Sequence, residues 1–156
     1  MSTAYNSVIG TRTAFTITLN SLASANYVAA TALDLHAFFT TPNRAPLDLV
    51  LELEVTPGTV SGNTQAKLFA QISMDGTNFS TGPTSGATTT NEPDLYYIGT
   101  LPLITSATLQ RKAFSLLDRI GFIPYAIKPI VFNDSGAAFA GSGCALYYTA
   151  ISGDGT

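Results

Sequence analysis

Leu47-Asp48-Leu49-Val50-Leu51-Glu52-Leu53-Glu54-Val55 alternates aliphatic side chains with mostly acidic ones. Successive side chains of a β-strand point to opposite faces of a sheet. The four leucines and Val55 would therefore share one face, and Asp48, Glu52 and Glu54 would share the other. A helix would spread the leucines around its circumference. The segment is predicted to be a strand with a buried aliphatic face and an acidic face turned to water or to a partner.

The same two-residue period recurs on both sides of this segment. Phe15, Ile17 and Leu19 alternate with threonines, which predicts a second strand. Pro129 lies inside another apolar run and predicts an edge strand or a bulge there, because proline cannot donate to a ladder. A helical turn is predicted at 117–121. Further strands are predicted at 27–35, 67–73, 95–101, 108–116, 125–133 and 144–152, with a short strand restarting at Phe79.

Turn signals such as Asp75-Gly76 separate these runs roughly every ten residues. Eight or nine short strands without a long helix predict an all-β fold, an antiparallel β-sandwich of which the jelly roll is one arrangement. The length suits one domain. We expect an N-terminal arm at 1–13, a single sandwich domain at 14–152 and a short tail at 153–156.

The composition is poor in charge: 11% of the 156 residues are charged and the net charge is −3, whereas soluble domains average about 25% charged residues. No basic stripe is present to neutralise phosphates, so no nucleic-acid binding is expected. No apolar stretch or basic-then-apolar leader predicts a membrane helix or a signal peptide. Interface cores are depleted of Lys, Glu and Asp. The composition thus suits a protein packed against other protein, and equally a secreted β-domain.

Residues that could carry catalysis are few. His36 is the only histidine, and no Gly-x-Ser-x-Gly motif accompanies it. Glu52 and Glu54 would lie about 7 Å apart on one strand face, within the range of glycosidase carboxylates, but such a pair is far more common as an ordinary strand surface. Cys144 is the single cysteine, expected to be a small buried residue. The sequence predicts no enzyme, no cofactor and no metal site.

Contact elements are easier to identify. Residues 81–92 form the most polar tract and are predicted to be a long exposed loop, an element that often mediates contacts. Tyr96-Tyr97 and Tyr147-Tyr148 each place one ring on either face of a strand, and an outward tyrosine suits an interface. Arg111 and Lys112 point opposite ways, and Arg111 suits an interfacial salt bridge. The candidate interface residues are Tyr5, Glu52, Glu54, Thr84, Thr88, Thr89, Thr90, Tyr97, Arg111 and Tyr148.

Four segments resemble small structural proteins of tailed bacteriophages: residues 55–63 (VTPGTVSGN), 70–83 (AQISMDGTNFSTGP), 92–100 (EPDLYYIGT) and 130–138 (IVFNDSGAA). Such proteins are β-sandwich virion components that decorate or cement the capsid, or lie in tail and fibre positions. The resemblance implies a non-enzymatic, oligomeric virion protein and carries over no catalytic residue.

The function expected from this resemblance is that of a capsid decoration or cement protein. It would be made in the host cytoplasm and would lie on the capsid surface of the virion. Its partners would be the major capsid protein and copies of itself, as a trimer or dimer, without nucleic acid or membrane. Contacts are expected from the arm at 2–13, the loop at 81–92 and the acidic face of Glu52 and Glu54. The alternatives are a tail, neck or head-fibre component, a carbohydrate- or receptor-binding module whose tyrosines stack on sugars, and a hydrolase.

Overall fold

The computed structural model describes residues 5–39, 44–60 and 64–155, and strands dominate this part of the chain. One short helix, α1 (Leu116–Ile120), and 3₁₀ turns at His36–Phe39 and Glu92–Asp94 accompany them. The strands are β1 (Tyr5–Ile9), β2 (Thr13–Ala14), β3 (Tyr27–Ala29), β4 (Leu33–Asp34), β5 (Arg44–Val55), β6 (Thr64–Ser73), β7 (Ser85–Gly86), β8 (Tyr96–Leu103), β9 (Gln110–Ser115), β10 (Ala126–Asp134) and β11 (Ala145–Gly155).

The strands form two antiparallel sheets. Sheet A has the order β1-β11-β5-β9, with β2 also on β11, and sheet B has the order β7-β3-β10-β6-β8, with β4 also on β10. Eight strands remain when the two-residue strands β2, β4 and β7 are left out. Of these eight, the first pairs with the last (β1 with β11), the second with the seventh (β3 with β10), the third with the sixth (β5 with β9) and the fourth with the fifth (β6 with β8). The predicted antiparallel sandwich is confirmed, and its strand order is that of a jelly roll.

The first and the last strand of the described part, β1 and β11, both belong to sheet A. Strand β1 lies within the segment expected to be an arm, and it pairs with residues 151–155 of β11, the last of which lie within the expected tail. The predicted division into arm, domain and tail remains a prediction.

The aliphatic face of β5 lies in the core between the sheets. Leu49, Leu51, Leu53 and Val55 are at most 1% exposed, as the alternating pattern predicts. Leu47 is 42% exposed instead. It lies where the register between β5 and β11 shifts by one residue, and a bulge of this kind turns a side chain away from its expected face.

The segment around Phe15 alternates as predicted but is not a regular strand. Phe15 and Leu19 are buried and Thr16 and Thr18 are exposed, yet only Thr13–Ala14 before them pair in a sheet. The Phe15 amide donates to Leu146 of sheet A, whereas the Thr16 carbonyl accepts from Thr31 beside sheet B. The segment therefore crosses between the sheets and has no continuous partner.

Two other strand predictions need correction. Residues 27–35 form two short strands, β3 and β4, rather than one. No strand restarts at Phe79. That residue begins the loop that leads away from β6, and its ring lies against Lys128.

Pro129 lies in β10, between β6 and β3, so the predicted edge position is wrong. The Pro129 carbonyl accepts from the Ala30 amide. In an antiparallel pair the N–H and C=O of one residue face the same neighbour, so the missing N–H falls on the side of β3 and β4. Residues 30–32 interrupt those two strands at this point. The interruption is what allows a proline inside the sheet.

The turn after β6 is held by one carboxylate. Asp75 accepts hydrogen bonds from the backbone amides of Thr77 and Asn78, at 2.9 and 2.8 Å, and from the Asn78 side chain and the Ser73 hydroxyl. This confirms the turn predicted from Asp75-Gly76. The backbone and side-chain donors of Asn78, followed by the Thr77 amide and Ser73, hold the pKa of Asp75 far below its ordinary value.

Asp75→Asn is expected to lower stability at neutral pH but not at low pH. Because the folded-state pKa lies below the unfolded value of 3.8, the ionised carboxylate stabilises the fold above that value and loses this effect as the pH falls below it. The melting temperatures of wild type and variant, measured from about pH 7 down to pH 2, should converge toward the acid end. A difference that stays constant with pH would show that the carboxylate charge does not stabilise the turn.

A buried polar centre at Asn133 ties three segments together. Asn133 is 0% exposed. Its side-chain amide donates to the carbonyls of Leu22 and Ala137, at 2.8 and 2.9 Å, and its oxygen accepts from the backbone and hydroxyl of Ser135. Both amide hydrogens and both lone pairs of the side-chain oxygen thus have a partner, so Asn133 fixes the turn after β10 against the segment before β3.

Asn133→Leu is expected to lower the free energy of unfolding by about 2 kcal/mol, because it removes four hydrogen bonds. The partly buried carbonyls of Leu22 and Ala137 each lose a donor, and the amide and hydroxyl of Ser135 lose their acceptor. Asn26→Leu is the matched control, since the half-buried Asn26 side chain makes one bond, to the Ser24 carbonyl, and should cost about 1 kcal/mol or less. Urea unfolding of the two variants gives the comparison. Equal losses would show that the Asn133 network has no special weight.

Candidate functional site

The outer face of sheet B is covered by the chain itself. Tyr27, Phe69 and Ile130 point outward from the sheet, yet they are at most 6% exposed, because Leu95 and the loop leading to it pack over them. The Gln71 side chain donates to Gly82 of the same loop. Residues 79–95 therefore form a lid over a second small core.

The middle of this lid is exposed, as predicted. Thr84, Thr88, Thr89 and Thr90 are all exposed, although the lid also contributes the two-residue strand β7. Strand β7 is one edge of sheet B and β8 is the other. Four strand spacings separate these edges, about 20 Å. Thr84 thus lies beside the β7 edge, whereas Thr88–Thr90 lie between β7 and the 3₁₀ turn at Glu92–Asp94 that precedes β8.

The outer face of sheet A is different. We call it the open face; on neighbouring strands it presents Val50, Glu52, Glu54, Arg111, Ala113, Ala145, Tyr147 and Thr149. Each of these side chains is half-buried or exposed. Within the described ranges, this face shows no buried cluster like that of sheet B. The open face and the lid lie on opposite sides of the sandwich.

Arg12 organises the centre of the open face. It extends from the connection between β1 and β2, and its guanidinium binds the carboxylates of Glu52 and Glu54 at 2.5 and 2.7 Å. The same group lies over the Tyr147 ring, 3.3 Å from its centroid. Arg111 reaches Glu54 from β9 at 3.6 Å. Two cations and two carboxylates thus compensate one another across three segments: the β1–β2 connection, β5 and β9.

The hydrogen bond from Arg12 holds the pKa of Glu52 below its ordinary value. Correspondingly, the hydrogen bond to Glu52 raises the pKa of Arg12. Both groups are therefore ionised at neutral pH, and the cluster is a fixed array of paired charges on a sheet surface.

The structure brings together three of the predicted interface residues, Glu52, Glu54 and Arg111. Arg12 is predicted from the sequence only as part of the expected contact arm at 2–13, without its partners Glu52 and Glu54, and of the Tyr147-Tyr148 pair the predicted contact is Tyr148. Tyr147 could be identified from the alternation of β11, which places it on the face opposite Leu146. Arg12 gives no such signal, because it lies in an irregular connection and reaches residues 40 positions away.

Of the Tyr147-Tyr148 pair, the predicted interface residue Tyr148 points inward, toward the core. Tyr148 packs against Phe15 and Phe38, with ring centroids 4.9 and 5.8 Å away, and the outward ring is that of Tyr147. Tyr5 begins β1, where its backbone pairs with Gly155; its side chain lies outside the described part. Nothing in the structure tests either residue as a contact.

Arg111 and Lys112 point to opposite faces, as predicted. Lys112 turns away from the open face and donates to the Thr100 carbonyl of sheet B at 3.0 Å. It ties the edge strands of the two sheets together.

A cleft of about 640 Å³ opens at the β8 edge of sheet B. Tyr96 and Tyr97 are 37% and 52% exposed and both line it. They are joined there by Asp94 at the end of the lid and by Arg119 of α1. Tyr97 belongs to sheet B and so does not share the sheet that carries the open face.

The residues considered for catalysis are scattered. His36 stacks on Tyr125 with ring centroids 4.9 Å apart. Cys144 is half-buried rather than buried, its sulfur contacts the Thr56 backbone, and burial raises its pKa. Arg12 bridges Glu52 and Glu54. Among the described residues, no three His, Cys, Asp or Glu side chains converge as a metal site would require.

The helices of the described ranges are too short to cross a membrane.

Comparison with known proteins assigns this chain to no family. The sequence matches no protein-family model and no curated protein. Among solved structures, it is similar to a chain in the structure of infectious bursal disease virus Gx strain, with 12% sequence identity and a TM-score of 0.36. The match covers 99% of this chain and 33% of that one, so this chain spans about a third of its length. At that TM-score the similarity carries no functional argument.

Proposed function

We propose that this protein is a virion structural protein, a capsid decoration or cement protein of the tailed-bacteriophage kind, and that it binds the assembled shell through the open face. The role is non-enzymatic and stabilises the shell by protein–protein contact. It rests on the resemblance of four sequence segments and on one structural observation, the contrast between the two outer sheet faces.

That contrast carries the proposal. Sheet B buries its outward apolar residues under residues 79–95, whereas the open face has no such lid among the described residues. Arginine and tyrosine are enriched in interfaces and at their energetic centres. Arg12 and Tyr147 occupy the middle of this face and hold each other in place. Side chains that are already ordered lose little entropy on binding.

The charge balance of the open face fits a docking role. Burying an unpaired charge is costly, but here each carboxylate already has an arginine partner. The surrounding residues Val50, Ala113 and Ala145 are small or apolar. A shell subunit could therefore cover the cluster without leaving an isolated ion.

The exposed threonines serve a second contact in this proposal. Because they lie in the lid, on the opposite side of the sandwich from the open face, they do not touch the shell surface that the open face would cover. We assign Thr84 and Thr88–Thr90 to contacts between neighbouring copies, in a dimer or trimer on the shell. Because the protein binds the assembled shell and not separated subunits, it shifts the equilibrium toward the assembled state.

Shells prepared with and without the protein test this role. We expect the shells that carry it to release their contents at a higher temperature, and shells that lack it to regain that resistance when purified protein is added back. Equal heat resistance in all three preparations would contradict the cement role. If the protein is found only on the tails or fibres of intact particles, its position in the virion is the tail or the fibre and not the capsid.

A further inference from the structure

We propose that the cleft at the β8 edge is a binding site for a neutral oligosaccharide. This goes beyond the shell-binding role, since the cleft and the open face are built from different sheets. The cleft volume of about 640 Å³ lies within the range of ligand pockets, about 300–1,000 Å³. No part of the shell-binding argument uses its residues.

The first ground is that two exposed tyrosines line the same cleft. Tyr96 and Tyr97 are neighbours in β8, and an ordinary strand would direct them to opposite faces. Their regular pairing with Ala70 and Phe69 keeps that alternation, because the register shift against β6 lies at Ile98, after Tyr97. Strand β8 is the edge of sheet B, and both tyrosines line the cleft that opens there although they leave the strand on opposite faces. The negative ring face of tyrosine attracts polarised C–H groups, which line the faces of sugar rings.

The second ground is that one ring is held in place. The Tyr97 hydroxyl is hydrogen-bonded to the Thr100 hydroxyl. Its ring lies edge-on to Phe69, with centroids 5.6 Å apart, and Phe69 itself is buried beneath the lid. A ring braced in this way loses little freedom when a ligand stacks on it.

The third ground is the set of polar groups around the rings. Asp94 offers a carboxylate, one oxygen of which accepts from the Thr81 hydroxyl at 2.5 Å. Arg119 supplies a planar donor from α1, and it is 47% exposed while it contacts Asp118 at 3.5 Å. Carboxylate and guanidinium groups both present paired hydrogen-bonding atoms, the arrangement that neighbouring sugar hydroxyls match.

The charges around the cleft do not favour an anionic ligand. The lining holds one carboxylate, Asp94, and one guanidinium, Arg119, and Arg119 also contacts Asp118. The cleft therefore has no excess positive charge to bind phosphate, sulfate or a nucleotide. A neutral ligand that carries both hydroxyls and apolar ring faces fits the combination of tyrosines, carboxylate and guanidinium.

The test is a nuclear magnetic resonance titration of the full chain with four neutral probes: maltohexaose, cellohexaose, laminarihexaose and chitohexaose. Each is added to about 10 mM, which nearly saturates a site with a Kd of about 1 mM. We expect at least one probe to shift backbone signals of residues 80–81, 93–97 and 119–120. No shift with any probe, or shifts confined to another surface, would overturn the proposal.

Variants make the assignment specific. Tyr97→Ala should weaken binding about fivefold, since an aromatic contact contributes about 1 kcal/mol, and Tyr97→Phe should retain most of the affinity. Asp94→Ala should also weaken binding. Tyr147→Ala, an outward tyrosine on the other sheet, is the control and should bind as wild type does. Unchanged binding by both Tyr97→Ala and Asp94→Ala would place the ligand elsewhere and contradict the inference.

Discussion

Tyr147→Ala is expected to weaken binding to the shell by about 30-fold or more, the loss typical of a residue at the energetic centre of an interface. The substitution removes the ring from the middle of the open face. It also removes the surface on which the Arg12 guanidinium lies, so the arginine loses one of the contacts that fix it. Co-sedimentation of purified variant with shells that lack the protein measures the effect.

Tyr97→Ala is the matched control, because it removes an exposed tyrosine from the opposite side of the sandwich. It should bind shells as wild type does. Together with the saccharide titration, the two variants separate the two proposals: Tyr147→Ala affects shell binding alone, and Tyr97→Ala affects sugar binding alone. Shell binding that survives Tyr147→Ala, or is lost with Tyr97→Ala, would contradict the assignment of the open face.

Leu53→Ala is expected to lower the free energy of unfolding by about 4 kcal/mol, near the upper part of the range for a leucine truncated in a tight core. Leu53 is 0% exposed and lies in β5, between β11 and β9. Neighbours fixed in two ladders cannot collapse into the space that the side chain leaves. Urea unfolding followed by circular dichroism provides the measurement.

Leu47→Ala is the control on the same strand, with the same substitution and the same position in the alternating pattern. Leu47 is 42% exposed and should cost about 1 kcal/mol or less. If the two variants lose similar free energy, the buried face of β5 does not dominate the stability of the sandwich.

Much of the fold can be predicted from the sequence because strand alternation is a local property. The burial of Leu49 to Val55, the turn at Asp75-Gly76 and the helical turn near 117–121 all follow from neighbouring residues. Pro129 shows the limit of this reasoning. Its tolerance inside a sheet depends on a break between β3 and β4, about 100 positions earlier in the chain, and no local pattern reports that break.

The candidate site was only partly predictable for the same reason. Glu52 and Glu54 are visible as an acidic strand face, but Arg12 joins them from an irregular connection. The sequence also does not show that the polar tract at 81–92 crosses one sheet face and leaves the other open. That asymmetry arises from where Leu95 and Pro83 are buried, which depends on the packing of the sheets.

The central claim is that the open face of sheet A meets the capsid. Cryo-electron microscopy of shells decorated with the purified protein tests it most directly. We predict density for the sandwich on the outer surface of the shell, with Tyr147 and Arg12 buried against capsid subunits and the β8 cleft facing solvent. Density on the shell with the open face turned to solvent, or no density on the shell at all, would contradict the claim.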